Sequence, residues 1–118
     1  MKGINAYQEI AVTTQPKGRL VVMLYDGAIK FLKQAIKEIE AGKPEEKGEY
    51  ISKAIDIIFE LNTVLDTEAG GEVAMNLRKL YLFMGRNLTE ANTEQNISKI
   101  EEVIKLLEEL NQSWKAIT

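Results

Sequence analysis

Leu20-Val-Val-Met-Leu-Tyr-Asp-Gly-Ala-Ile-Lys-Phe-Leu32 is the stretch whose reading decides the fold. At about 100° per residue it forms a helix on which Val21, Leu24, Ala28, Phe31 and Ala35 share one seam, in alternating steps of three and four. Tyr25, Leu32, Ile36 and Ile39 lie beside that seam, and Val22 and Ile29 lie further round. The apolar arc spans roughly 200°, whereas a helix burying one side in a globular core needs about 100° or somewhat more. Asp26, Lys30, Lys33 and Lys37 mark the wet side, with Met23 among them. The expectation is a helix that packs on its own bundle with part of the arc and offers the rest to a partner.

The flanking punctuation is helical too. Upstream, Thr13-Thr14-Gln15-Pro16 is a start signal, because proline is favoured in the first turn and threonine is a good cap. Gly42 offers a left-handed stop, so the first helix is expected over about 16–41. Lys43-Pro44-Glu45-Glu46 restarts a helix with two acids against its N-terminal dipole. That second helix, about 44–66, carries the seam Ile51, Ala54, Ile58, Leu61 and Leu65. Phe59 widens its arc on one side, and Ile57 and Val64 widen it on the other, so it too is apolar over roughly 200°. Gly70-Gly71 breaks it.

A third helix, about 72–92, has the seam Ala74, Leu77, Tyr81, Met84, Leu88 and Ala91. Met75 and Leu82, seven apart, sit on its opposite side among Arg78, Lys79 and Arg86, where isolated apolar residues are ordinary. The stretch Asn92 to Asn96 supplies caps for a fourth helix, about 96–116, with the seam Ile100, Val103, Leu107, Leu110, Trp114 and Ile117. No segment shows strand alternation or a hairpin turn. Four helices of some twenty residues joined by short breaks predict an all-α fold, an antiparallel up-down-up-down four-helix bundle in one domain. Residues 1–14 have no full helical period. They read equally as a frayed end or as a short segment laying Tyr7, Ile10 and Val12 on the bundle.

Composition narrows the function. The 118 residues are 45% hydrophobic and 28% charged with a net charge of −3, an ordinary folded balance. No basic stripe exists of the kind phosphate neutralisation requires, so nucleic acid is not an expected partner. No apolar run reaches the ~18–20 residues of a spanning helix, and the N-terminus is not a signal peptide, so no membrane insertion is expected. With no cysteine, the reading is a cytosolic protein. With no histidine either, the commonest zinc and haem ligands and the commonest general base are absent, and so is the Glu-x-x-His pair of di-iron bundles. No cofactor, metal or catalytic residue is expected, and the chain does not read as an enzyme. Paired acids such as Glu45-Glu46 and Glu101-Glu102 serve dipoles and solvated faces. Tyr25 and Tyr81 read as core aromatics whose hydroxyls reach the bundle edge. From the residues alone, the surplus arc implies a self-association face or a groove for another amphipathic segment.

Particular motifs go further. Thr13-Thr-Gln-Pro16, Met23-Leu-Tyr-Asp-Gly-Ala28 with Phe31-Leu32, Leu65-Asp66 before Gly70-Gly-Glu72, Asn76-Leu77, Leu80-Tyr81, Met84 and Ala91-Asn92 stand in the order found in the flagellar export chaperone family FliS, which the chain resembles over nearly its whole length. Ala6-Tyr7 and Leu106-Leu-Glu-Glu-Leu110 with Trp114 also fit. Gln15 departs from the small cap usual in the family, and Gly85-Arg86-Asn87 lies off its commonest pattern.

The resemblance implies a cytosolic chaperone that holds the disordered C-terminal segment of flagellin, prevents premature polymerisation and assists delivery to the flagellar type III export machinery. It leaves room for an anti-sigma factor as a second partner. It also implies that the N-terminal stretch, with Tyr7, Ile10 and Val12, covers part of the groove in the free protein. The expected client surface is Val22, Met23, Tyr25, Ile29, Ile55 and Phe59, with Asp26 as a polar anchor to the client or to the N-terminal stretch. Leu24, Leu77 and Trp114 are expected in the core. Replacing Val22 or Ile29 with Glu is expected to abolish binding with thermal unfolding nearly unchanged. The alternative is a homo-oligomeric helical module, monomer and dimer both being compatible with the sequence.

Overall fold

Local chemistry at the helix ends explains where the chain turns. A computed structural model describes residues 17–68 and 71–117; the candidate segment with Tyr7, Ile10 and Val12 lies outside them. Helix α1 (Lys17–Glu40) ends in a paired cap in which the amide of Gly42 donates to the Ile39 carbonyl at 3.0 Å and that of Lys43 to Glu38 at 2.8 Å. Gly42 carries the cap at φ 72°, a conformation that leaves glycine unstrained. Pro44 then opens α2 (Pro44–Glu68), where its missing N–H is not needed and Glu45 and Glu46 face the positive end of the dipole. Gly71, at φ 73°, begins α3 (Gly71–Glu94).

The same cap recurs at the end of α3 without glycine. Gln95 takes φ 53° and the Asn96 amide donates to the Ala91 carbonyl at 3.0 Å. Asn96 at once caps α4 (Ile97–Ile117), its side-chain oxygen accepting from the Lys99 amide at 3.2 Å. Using Asn96 rather than Asn92 as the cap lets α3 run two residues past its expected end, and α2 likewise runs to Glu68. Lys99 pins this corner, reaching Glu90 at 2.6 Å and Glu94 at 3.2 Å.

Consecutive helices pack side by side and α4 closes against α1, so the four form a ring. Connections of two or three residues make neighbours antiparallel, giving the up-down-up-down bundle. Its core is Val21, Tyr25, Ala28, Leu32 and Ala35 from α1, Ile51, Ala54, Ile58, Leu61 and Leu65 from α2, Ala74, Tyr81, Met84, Leu88 and Ala91 from α3, and Ile100, Val103, Ile104 and Leu107 from α4.

Three core expectations shift. On α1 the buried seam lies one flank round from the expected one, with Tyr25 and Leu32 fully buried and Leu24 and Phe31 half-buried. Phe31 instead fills the α1–α2 edge, stacked on Tyr50 at 6.1 Å between ring centres and covered by the Lys53 ammonium at 5.5 Å. One turn before it, Gly27 makes room for Ile57 of α2, since a Cβ there would stand 3.3 Å from Ile57 Cδ1. Leu77, Leu110 and Trp114 are also half-buried. In place of Leu110, α4 turns Asn111 inward, 3% exposed, with its amide nitrogen donating to Asp26 Oδ1 at 2.8 Å.

The tyrosines likewise leave the edge. Tyr25 and Tyr81, from diagonal helices, meet through their hydroxyls at 2.7 Å inside the bundle. Burial raises both phenols' pKa, that of Tyr81 well above the ordinary tyrosine range; for Tyr25 the hydrogen-bonding side chains of Tyr81 and Trp114 offset part of the rise.

Candidate binding surface

The ring geometry divides the surplus apolar arc. On α1, Phe31 turns toward α2, with Leu24 on the same flank by helical spacing, and on α2, Ile57 and Tyr50 turn toward α1. Each helix consumes one flank of its arc in this contact. The remaining flank of α1 borders α4 and that of α2 borders α3, on opposite sides of the bundle. The expected surface is therefore two surfaces.

The larger is an apolar groove of about 430 Å³ between α2 and α3. Ile58 and Tyr81 form its floor, Ile55 and Phe59 its α2 wall, and Leu82, Gly85, Arg86, Thr89 and Glu90 its α3 wall. Phe59 is 59% exposed and Leu82 53%, large apolar side chains facing each other across open space. Gly85 enlarges it: a Cβ built there meets nothing within 4 Å, although glycine inside a helix costs about 0.5–1 kcal/mol relative to alanine. Toward the other end a small niche of about 20 Å³ opens between Phe59, Asn62 and Leu82. Asn62 Oδ1 is buried beside it and accepts no hydrogen bond among the described residues. An acceptor left in that state costs about 1–3 kcal/mol.

The opposite notch, about 260 Å³ between α1 and α4, is polar. Asp26, Ile29, Lys33, Glu108, Asn111, Gln112 and Lys115 line it. Asp26 is held by its own chain, accepting from Asn111 at 2.8 Å and facing Lys115 Nζ at 3.5 Å, and Lys33 reaches Glu108 at 3.5 Å. Asn111 Oδ1 is a second buried acceptor without a partner among the described residues.

Of the expected surface residues, Ile55 and Phe59 come together in the groove, and Asp26 and Ile29 in the notch. Val22 is half-buried and falls on the Ile29 flank by helical spacing. Met23 is 48% exposed and lines neither. Tyr25 is a correction: its ring is fully buried in the core, since the seam of α1 centres on it rather than on Leu24. Ile29 is half-buried and packs on the core, so a glutamate there acts on stability as well as on the surface.

The α3 wall was missed. Leu82 and Arg86 did stand out on the face away from the Ala74–Ala91 seam, but periodicity on one helix does not reveal that a neighbour's flank faces them. Nothing in the sequence signals Asn62 or Asn111. Lys47 was equally illegible: it is 5% exposed, and its ammonium donates to the Asn92 carbonyl at 2.8 Å, capping the C-terminal turn of α3. Among the described residues no helix is long and apolar enough to cross a membrane.

The chain is 42% identical over 121 residues to the flagellar secretion chaperone FliS of Salmonella typhimurium, covering 98% of this chain and 90% of that one. It is 39% identical to the flagellar secretion chaperone FliSB of Pseudomonas aeruginosa, covering 100% and 97%. With the flagellar secretion chaperone FliS of Bacillus subtilis it shares 34% identity, over 94% and 82%. The family described as flagellar protein FliS matches residues 1–118, and with relatives this similar along their length the chain belongs to the FliS family.

Proposed function

We propose that this protein is a cytosolic export chaperone that binds the disordered C-terminal segment of flagellin, prevents its premature polymerisation and assists its delivery to the flagellar type III export machinery. The observation that carries the reading is the open α2–α3 groove, where Phe59 and Leu82 stand more than half exposed over an apolar floor. Exposed apolar surface of this kind is the mark of a docking site. A segment that packs into a filament core carries apolar side chains at helical spacing, and the groove takes those side chains out of water while the segment folds. The α1–α4 notch, on the other side, suits a client that continues around the bundle, with Ile29 and Val22 as apolar contacts and Asp26 beside them.

Residues 1–14, through Tyr7, Ile10 and Val12, act in this reading as a cover that the client displaces. Displacement weakens the apparent affinity by the fraction of uncovered protein. The test is a titration with a synthetic flagellin C-terminal peptide, following heat and far-UV circular dichroism together. Saturable heat with gained helicity is the expected result, and a flat trace refutes it.

A further inference from the structure

The groove carries more information than its apolarity. Asn62 Oδ1 lies buried at one end with no hydrogen-bond donor among the described residues. Toward the other end stands Arg86, which has no ion-pair partner among the described residues. Its neighbour Glu90 acts on it electrostatically from one turn away but is held by Lys99 at 2.6 Å and forms no ion pair with it. Between the two polar groups, Gly85 leaves space that no atom of the described residues fills.

Their separation can be read from the packing. Gly48 of α2 faces the Asn92 side chain of α3, and the two helices run antiparallel. Asn62 therefore stands level with about Arg78, eight residues and about 12 Å along α3 from Arg86. On a helix lying in the groove, two positions of the same face seven or eight residues apart span that distance.

We infer that the α2–α3 groove selects an amphipathic client helix by a two-point polar code: a side-chain hydrogen-bond donor (Ser, Thr, Asn or Gln) that meets Asn62 Oδ1, and a carboxylate seven or eight residues away that meets Arg86, flanking an apolar seam whose large side chain fills the space over Gly85. Charge complementarity sets one end and the unsatisfied acceptor the other, so register is fixed as well as affinity. This deepens the proposed client-binding role, and Asn62 and Arg86 are its specificity-determining residues.

The test uses designed 20-residue helical peptides with no flagellin sequence, so its outcome is separate from that of the flagellin titration. One peptide carries Gln and Glu seven residues apart beside a Leu/Ala seam; the other has Leu and Lys at those positions. The intact protein is expected to bind the first at least tenfold more tightly. Asn62→Leu and Arg86→Ala should each lose most of that preference, and Asn62→Asp, which keeps an acceptor oxygen, should retain it. Thermal unfolding of Asn62→Leu should be unchanged or raised, since the orphaned acceptor is gone. Equal affinity for the two peptides, no binding of either, or a preference that survives Asn62→Leu overturns the inference.

Discussion

Phe59→Ser separates binding from folding because the structure divides the ring between the two. A phenylalanine presents about 200 Å², and Phe59 leaves 59% of its surface in water. A client that covers the ring completely removes about 120 Å² more, or about 3 kcal/mol at ~25 cal/mol per Å². At about 1.4 kcal/mol per decade that is a loss of roughly 150-fold in affinity for Phe59→Ser. The part already buried bounds the cost to folding at about 2 kcal/mol, an upper figure because the unfolded chain also hides some apolar area. Leu61→Ala is the control. Leu61 is 2% exposed in the core, so truncation should cost about 2–5 kcal/mol of stability while leaving the folded fraction's affinity intact. Calorimetric titration with the flagellin C-terminal peptide and urea unfolding measure the two quantities. Affinity of Phe59→Ser within threefold of the unmodified protein, or a stability loss exceeding that of Leu61→Ala, refutes the reasoning.

Other outcomes follow from particular contacts. Lys47→Met leaves the Asn92 carbonyl without its charged donor and should lower stability by about 1.5–3 kcal/mol in urea unfolding. Gln95→Gly relieves a side chain held at φ 53° and should raise stability by about 1 kcal/mol, visible as a higher midpoint. The Tyr25 and Tyr81 phenols are raised in the folded state, so below pH ~10 both folded and unfolded forms are protonated and the pair adds no pH slope. Above that pH the unfolded chain releases protons that the folded one keeps, and stability should fall by up to about 2.7 kcal/mol per pH unit more than in the Tyr25→Phe/Tyr81→Phe variant. Removing residues 1–14 should tighten peptide binding, and unchanged affinity would show that the stretch is no cover.

The sequence by itself was enough for the helical class, the four helices of the described residues and the bundle. Seams repeating by three and four, Pro44 after Gly42 and the Gly70-Gly71 break are local signals, and local geometry obeys them. The seam of α2 emerges residue for residue, with Ile51, Ala54, Ile58, Leu61 and Leu65 all buried. On α1 the apolar arc left several directions open, and packing against α2 through Phe31 and Gly27 goes with Tyr25 and Leu32 turned inward. Helical periodicity measures angles about one axis and carries no information about which neighbour stands on each flank. For that reason the surplus of α1 and α2 read as one face, while the tertiary structure places it in two sites on opposite sides. The Tyr25–Tyr81 hydroxyl pair, the Lys47 cap and the unmet acceptor of Asn62 join residues 56 or 45 positions apart, or a residue to empty space, and only the assembled bundle determines them.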